Sequence, residues 1–372
     1  MELREITINR LRRARRVVIK VGTSLVTGDD GAAATKRLNA IVESIASLRK
    51  EDRQVVLVSS GAIGLGRERL GLSKARLRDL VMRQACAAVG QSLLMHVYEN
   101  LFAAHDVRIA QVLLTEDDFA VRQRYSNLRR AMEKLLKLGV VPIVNENDTV
   151  STFELEYFDE QGRRVFSDND RLAALITSKL EADVLVMLSN VDGFIAEEGV
   201  VPFVTHIDSN LKAQALGPSN DGRGGMVTKL EAAEIAMSAG GIAIIANGSR
   251  PKVLDQLFAG EGIGSTFVSD KRMGGKRRWI KYAADVRGKL IINPGARKAI
   301  LDGKASLLSS GVISISEKFK AMDVISIVDH QGHELARGIA NYSSQDTEAL
   351  ITSRSKAKAR VLVTRNNIVL SD

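Results

Sequence analysis

Short apolar runs alternate with longer helical stretches through the first 270 residues. The runs are Val17–Val21, Val55–Ser59, Ala110–Leu114, Val140–Val144, Val184–Ser189 and Gly241–Ala246, rich in Val, Ile and Leu. They are apolar on both faces, as strands buried between two helix layers are. Helical patterning fills the gaps at Lys36–Lys50, Lys74–His105, Tyr125–Leu138, Arg171–Leu180 and Met226–Ala239. This alternation predicts an α/β domain over residues 1–270, with a mainly parallel central sheet and helices on both faces. The basic, glycine-containing stretch 271–284 reads as a linker. Beyond it, Lys289–Ile292, Gly311–Ile315, Val324–Val328, Glu334–Ile339 and Arg360–Thr364 are short and alternating, with one helical stretch at Ala296–Asp302. They predict a small, mostly-β domain over 285–372.

Composition excludes several classes. Of 372 residues, 45% are hydrophobic and 26% charged, which is globular rather than disordered. No apolar run is long enough to cross a bilayer, and no membrane partner is expected. The opening MELREITINRLRRARR lacks the apolar core of a secretory leader. Cys86 is the single cysteine, so neither an intrachain disulfide nor a thiolate zinc cluster is available. A cytoplasmic location is the resulting expectation. The net charge of +9 is uneven: residues 271–372 hold 19 Lys+Arg against 9 Asp+Glu, whereas the rest is close to neutral. A basic tail suits either a solvated surface or contact with RNA.

Ligands of open α/β sheets bind beyond the carboxyl ends of the strands, which directs attention to the loops there. The first strand ends in Lys20-Val21 and is followed by Gly22, Thr23 and Ser24. These residues form either a plain turn or a phosphate-facing loop with a cation. Ser59-Ser60-Gly61-Ala62-Ile63-Gly64 lies at a strand-to-helix junction, serving as a tight packing turn or an anion site. Asn145-Glu146-Asn147-Asp148-Thr149 follows the fourth run, and Asp168-Asn169-Asp170 precedes a helix that one of the three would cap. Ser189 and Asn190 follow the fifth run. Arg223-Gly224-Gly225-Met226-Val227-Thr228-Lys229 enters a helix with a lysine in its first turn, where a cation opposes the helix dipole unless an anion is near. Two lysines, three glycine loops and a carboxylate cluster on one sheet edge suit phosphoryl transfer. The five histidines (His96, His105, His206, His330 and His333) show no metal-ligand spacing.

Read in order, VVIKVGTSLVT, VVLVSSGAIGLG, QACAAVGQSLLM, RQRYSNLRRA, VVPIVNENDTV, SDNDRLAALI, GRGGMVTKLEAA and KRRWI resemble the glutamate 5-kinase family, whose members have the amino acid kinase fold, an αβα sandwich. The tail, with INPGARKAILDGKASLLSSGV, resembles a PUA domain. The resemblance implies transfer of the γ-phosphoryl group of ATP to the γ-carboxylate of L-glutamate, the first step of proline biosynthesis. It implies Lys20, Lys229 and Asp170 as the catalytic group. Ser60, Gly61, Asn145, Asn147, Asp148 and Asn169 would hold substrate. Lys20, Gly22, Thr23, Ser189, Asn190 and Arg223, with Gly224, Gly225, Met226, Val227, Thr228 and Lys229, would face ATP. Mg2+ is expected on the phosphates, with no protein ligand assigned. Feedback by proline and a homo-oligomer, dimer or tetramer, are further implications.

Two departures stand out. Thr152–Phe166 is longer than the usual connection and reads as a hairpin around Asp159-Glu160-Gln161-Gly162. Asn190 stands where the family usually has aspartate. The alternatives are an acetylglutamate- or aspartate-type kinase of the same fold, and an RNA-binding protein acting through its basic tail. The tail has few aromatics for stacking on single strands.

Overall fold

The computed structural model describes residues 2–27, 31–150, 169–196, 199–215, 225–303, 305–352 and 359–371. They divide into two compact units, one formed by Met1–Asp118 with Gln123–Arg272, the other by Met273–Asp372 with the short piece Phe119–Arg122.

The first unit runs α1 (Glu2–Arg13), β1 (Arg16–Val21), α2 (Thr23–Val26), α3 (Gly31–Lys50), β2 (Gln54–Ser59), α4 (Ala62–Arg69), α5 (Leu80–Ala103) and β3 (Ile109–Leu114). It continues with α6 (Asp117–Ala120), α7 (Arg122–Lys137), β4 (Val141–Glu146), α8 (Asn169–Leu180), β5 (Val184–Ser189), β6 (Ile195–Ala196), β7 (Gly199–Val200) and β8 (Phe203–Val204). It closes with α9 (Ser209–Gln214), α10 (Met226–Ser238), β9 (Ile242–Asn247), α11 (Val253–Ala259) and β10 (Ser265–Phe267). One sheet has the order β3-β4-β2-β1-β5-β9-β10-β8. It is parallel except where β10 runs against β9. The central strands are buried along almost their whole length, which is why their sequences show no alternation.

The charged N-terminus, assigned no element from sequence, is helical, because Leu11 and Thr7 are buried and Arg12 donates to the Ala259 carbonyl. Three details differ from the sequence expectation. The predicted helix Lys74–His105 is broken: Lys74–Arg78 is a 3₁₀ turn, and Asp79 then caps α5 by accepting from the Val81 N–H at 3.2 Å. β4 extends through Asn145 and Glu146, so these two are strand residues rather than loop residues. α8 begins at Asn169, two residues early. The proposed hairpin Thr152–Phe166, Asp168, Arg223 and Gly224 lie outside the described residues.

The second unit contains α12 (Gly275–Arg278), a π-helical turn (Trp279–Ala283), β11 (Val286–Ile292), α13 (Pro294–Leu301), β12 (Leu307–Leu308), β13 (Val312–Ser316), β14 (Val324–Val328) and β15 (Glu334–Ile339). α14 (Ser344–Thr352), β16 (Val361–Val363) and β17 (Ile368–Leu370) complete it. Its main sheet is β13-β11-β14-β15-β17, over a core that includes Leu290, Ile292, Ile325 and Ile327. The stretch 271–284, read as a linker, is folded from Met273 onward. Ile280 and Ala284 pack with Val324, Ile339 and Val369, because a basic sequence still offers two apolar side chains to bury.

Candidate active site

Parallel pairing aligns the carboxyl ends of β4, β2, β1 and β5. Lys20 lies level with Val58 on β2 and Met187 on β5, and Val58 lies level with Val144 on β4. Side chains alternate faces along a strand, so Lys20 and Asn145 stand on opposite faces of this rim. The first two residues of α8 join them, Asp170 serving one face and Asn169 the other.

On the first face, Lys20 Nζ lies 2.7 Å from Asp170 Oδ1, and Lys229 Nζ donates to Asp170 Oδ2 at 2.9 Å. Lys20 is the penultimate residue of β1 and Lys229 sits in the first turn of α10. All three residues are buried. Burial pushes the Asp170 carboxyl up, but the two ammonium groups and their hydrogen bonds outweigh it and hold the group below the usual carboxylate range. The two lysines, far apart in sequence, therefore stand at one point of the rim.

On the second face, side-chain amides form a chain. Asn145 Oδ1 accepts from the Glu146 N–H at 2.9 Å and from Asn169 Nδ2 at 3.1 Å. Asn145 Nδ2 donates to Gln91 Oε1 at 2.9 Å, and Asn169 Nδ2 also donates to Ser60 Oγ at 2.8 Å. Beneath them the Tyr98 hydroxyl and Ser59 Oγ are 2.8 Å apart. Burial raises Tyr98 to about 12, against the opposing pull of that hydrogen bond. Gln91 and Tyr98 come from α5, which is held in backbone contact with α4. A Cβ added at Gly90 would stand 1.7 Å from the Ala62 carbonyl oxygen, and one at Gly66 would stand 1.8 Å from that of Cys86.

Other predicted residues are placed differently. The Gly22 N–H donates to Leu188 O at 3.1 Å and the Ser60 N–H to Val21 O at 3.2 Å. Those two main-chain donors are engaged with neighbouring strands rather than turned to a phosphate, and Ser60 offers its hydroxyl instead. A Cβ at Gly22 would approach Leu188 O closely, at 3.3 Å, and reach ordinary contact with Lys20 Nζ at 3.9 Å. Gly61 has φ +104 at the start of α4, which glycine adopts freely. Thr23 is exposed in α2. Asn147 accepts from Thr149 Oγ1 at 2.6 Å, within its own turn and away from the amide chain. Asp148 is half-buried in that turn. Ser189 Oγ donates to Asn190 Oδ1 at 3.2 Å, and Asn190 is exposed at the rim. Gly225 precedes α10 and its carbonyl accepts from Thr228 Oγ1 at 2.8 Å, while Met226 and Val227 are half-buried.

Gln91 was not singled out by sequence. It falls in the QACAAVGQSLLM segment, where its position directly after Gly90 is the signal that could have found it. Among the described residues no group of three or more His, Cys, Asp or Glu stands where it could hold a metal. Both Asp170 oxygens face ammonium groups, so the carboxylate at the rim's centre does not fit a metal ion.

Family models match the chain twice: the amino acid kinase family over residues 15–247 and the PUA domain over 288–362. A glutamate 5-kinase of Desulfotalea psychrophila is 40% identical over 96% of this chain and 97% of its own length. One of Burkholderia lata is 41% identical over 96% and 98%. One of Caldanaerobacter subterraneus is 39% identical over 90% of each. The carbamate kinase of Giardia lamblia bound to AMP-PNP aligns with 70% of this chain and 100% of its own, at 16% identity and a TM-score of 0.46. With family models spanning both units and relatives near 40% identity along almost the whole length, this chain belongs to the amino acid kinase family and carries a PUA domain.

Proposed function

We propose that this protein is an ATP-dependent kinase that phosphorylates the γ-carboxylate of L-glutamate, giving γ-glutamyl phosphate and ADP. The observation that carries the reading is the pair of ammonium groups, Lys20 and Lys229, on the one buried carboxylate of Asp170. Near-full-length likeness to glutamate 5-kinases supports the choice of acceptor.

The acceptor carboxylate is ionised at neutral pH, since its reference pKa is about 4.3. It attacks without a general base, in keeping with a rim that uses no histidine. One oxygen bonds to the γ-phosphorus while the bond to the bridging oxygen breaks and ADP departs. The obstacle is repulsion between an anion and a polyanion. Lys20 screens it from the acceptor side, Lys229 stabilises charge on the departing β-phosphate, and Asp170 keeps both ammonium groups in place. Ser60, Asn145, Asp148 and Asn169 hold the amino acid. Ser189, Asn190 and the loop entering α10 face the nucleotide. Mg2+ held by phosphate and water would neutralise part of the β- and γ-phosphate charge. A cytoplasmic location, homo-oligomeric assembly, feedback by proline and RNA contact through the basic second unit belong to the same proposal, resting on family resemblance and charge. So does a division of labour between a kinase domain and a PUA-like domain.

An ADP-release assay with L-glutamate, N-acetylglutamate, L-aspartate and UMP, each with and without proline, tests the reading. Turnover with glutamate alone is the expected result. Turnover with N-acetylglutamate or aspartate and none with glutamate overturns it.

A further inference from the structure

Gln91 lies within the QACAAVGQSLLM segment but was given no role above, and its amide is oriented by a chain of obligatory partners. A main-chain N–H can only donate, so the Glu146 N–H fixes Asn145 Oδ1 as the acceptor. Asn145 Nδ2 is then a donor, and the atom it reaches on Gln91 must be the oxygen. Asn169 Nδ2 is likewise fixed by its bonds to Asn145 Oδ1 and Ser60 Oγ. Two side-chain atoms are left over. Gln91 Nε2 and Asn169 Oδ1 are both shielded from solvent and have no hydrogen-bond partner among the described residues. Leaving a buried donor and a buried acceptor unmade is costly in a finished core. It is ordinary where a ligand completes the bonds.

The leftover pair is a donor and an acceptor, flanking Asn145. A zwitterionic amino acid supplies the complement: a carboxylate to accept and an ammonium group to donate. β4 lies two strands from β1, which is about 10 Å along the rim at the usual strand spacing. Lys20 and Asn145 stand on opposite faces of the sheet but on the same rim, so an acceptor lying across the strand ends with its γ-carboxylate at Lys20 would extend its α-carbon end toward Asn145. We infer that Gln91 Nε2 donates to the α-carboxylate of the acceptor amino acid, making Gln91 a specificity-determining residue, while its Oε1 steadies Asn145. This inference rests on the kinase reading above. The close α4–α5 contact at Gly66 and Gly90 delivers Gln91 and Ser60 to the same group. The Gly90 contact falls one residue before Gln91 and two after Ser60.

The test compares L-glutamate with its α-amide, which keeps the γ-carboxylate that is phosphorylated. Gln91→Glu preserves size and the oxygen facing Asn145 but replaces the donor with an acceptor. It is expected to raise KM for glutamate at least tenfold and to leave KM for ATP within twofold. Because the α-amide can donate to the new carboxylate, the kcat/KM preference for glutamate over the α-amide should fall at least tenfold. Gln91→Met keeps the volume without either polar atom, and should weaken glutamate and erase most of the preference. Thermal melts identify which variants are folded. An unchanged preference in the folded variants, or a loss confined to ATP, overturns the inference. Wild-type turnover separates the two failures. If glutamate is consumed, an unchanged preference removes Gln91 alone. If it is not, the glutamate reading falls, and with it the inference built on it.

Discussion

Asp170 in the first unit and Asp329 in the second are both shielded from solvent, with exposures of 0% and 4%. Both carboxyls are held below the usual range despite burial that pushes them up. What surrounds them differs. Asp170 faces two buried ammonium groups at 2.7 and 2.9 Å. Asp329 Oδ1 instead accepts from the main-chain N–H groups of Gln331 at 2.9 Å and His333 at 3.0 Å. The Arg297 guanidinium and the His333 imidazole beside it are exposed and lie at 3.8 and 3.5 Å. A carboxylate satisfied by its own turn pins a loop. A carboxylate satisfied by two lysines from separate elements assembles a cationic surface inside the fold. Burial of the cations, rather than burial of the anion, marks the place where chemistry is expected.

The largest expected effect comes from Asp170→Asn, which keeps the shape and removes the charge. If Lys20 and Lys229 act as proposed, loss of the group that positions them should lower kcat about 10²–10³-fold, the scale of lost electrostatic stabilisation in other enzymes. It should also destabilise the first unit by about 3–5 kcal/mol, since buried ammonium groups would lose their counter-charge. ADP release and denaturant melts read the two losses. Linkage gives the pH dependence. A carboxyl whose folded pKa is depressed contributes stability that is full above the unfolded value of about 3.9 and is lost as pH falls through the folded value. The acid limb of the wild-type melting curve should therefore shrink in Asp170→Asn. Full turnover in this variant would erase the contrast between the two aspartates.

An intermediate effect is expected from Gly90→Ala. The new methyl would meet the Ala62 carbonyl at 1.7 Å, so α4 must shift. Overpacking of this kind costs about 1–3 kcal/mol, and displacing Ser60 and Gln91 should raise KM for glutamate more than KM for ATP. An unchanged melting temperature would show that the two helices are not locked here. The smallest effect belongs to Asp329→Asn. Its Oδ1 still accepts from Gln331 and His333, so turnover should stay at the wild-type level while the melting of the second unit shifts slightly downward. A fall in kcat would break the distinction and give the second unit a part in catalysis.

Much of this was legible in the sequence. Mostly apolar five- and six-residue runs announce buried parallel strands, and the order of the loops after them places Lys20, Asp170 and Lys229 on one edge. Less legible were elements stabilised by partners far along the chain. The charged helix α1 is held through Leu11 and the Ala259 carbonyl, and the apparent linker 271–284 is folded through Ile280. Within the candidate site, the loop reading offered Gly22 and Ser60 as main-chain donors, but their N–H groups are engaged with β5 and β1. It also treated Asn145 as loop, whereas strand pairing carries β4 through Glu146.

The sequence alone determined which residue types reach the rim, because the apolar period of each strand decides where it ends and which side chains come next. Only the tertiary structure decided how those residues are partnered. It showed that Asp170 holds both lysines, that Asn145 faces Gln91, and that two glycines bring α4 against α5. Hydrogen bonds and ion pairs depend on tenths of an ångström between groups dozens of residues apart. Hydrophobic patterning sets which face a side chain occupies and leaves that distance open.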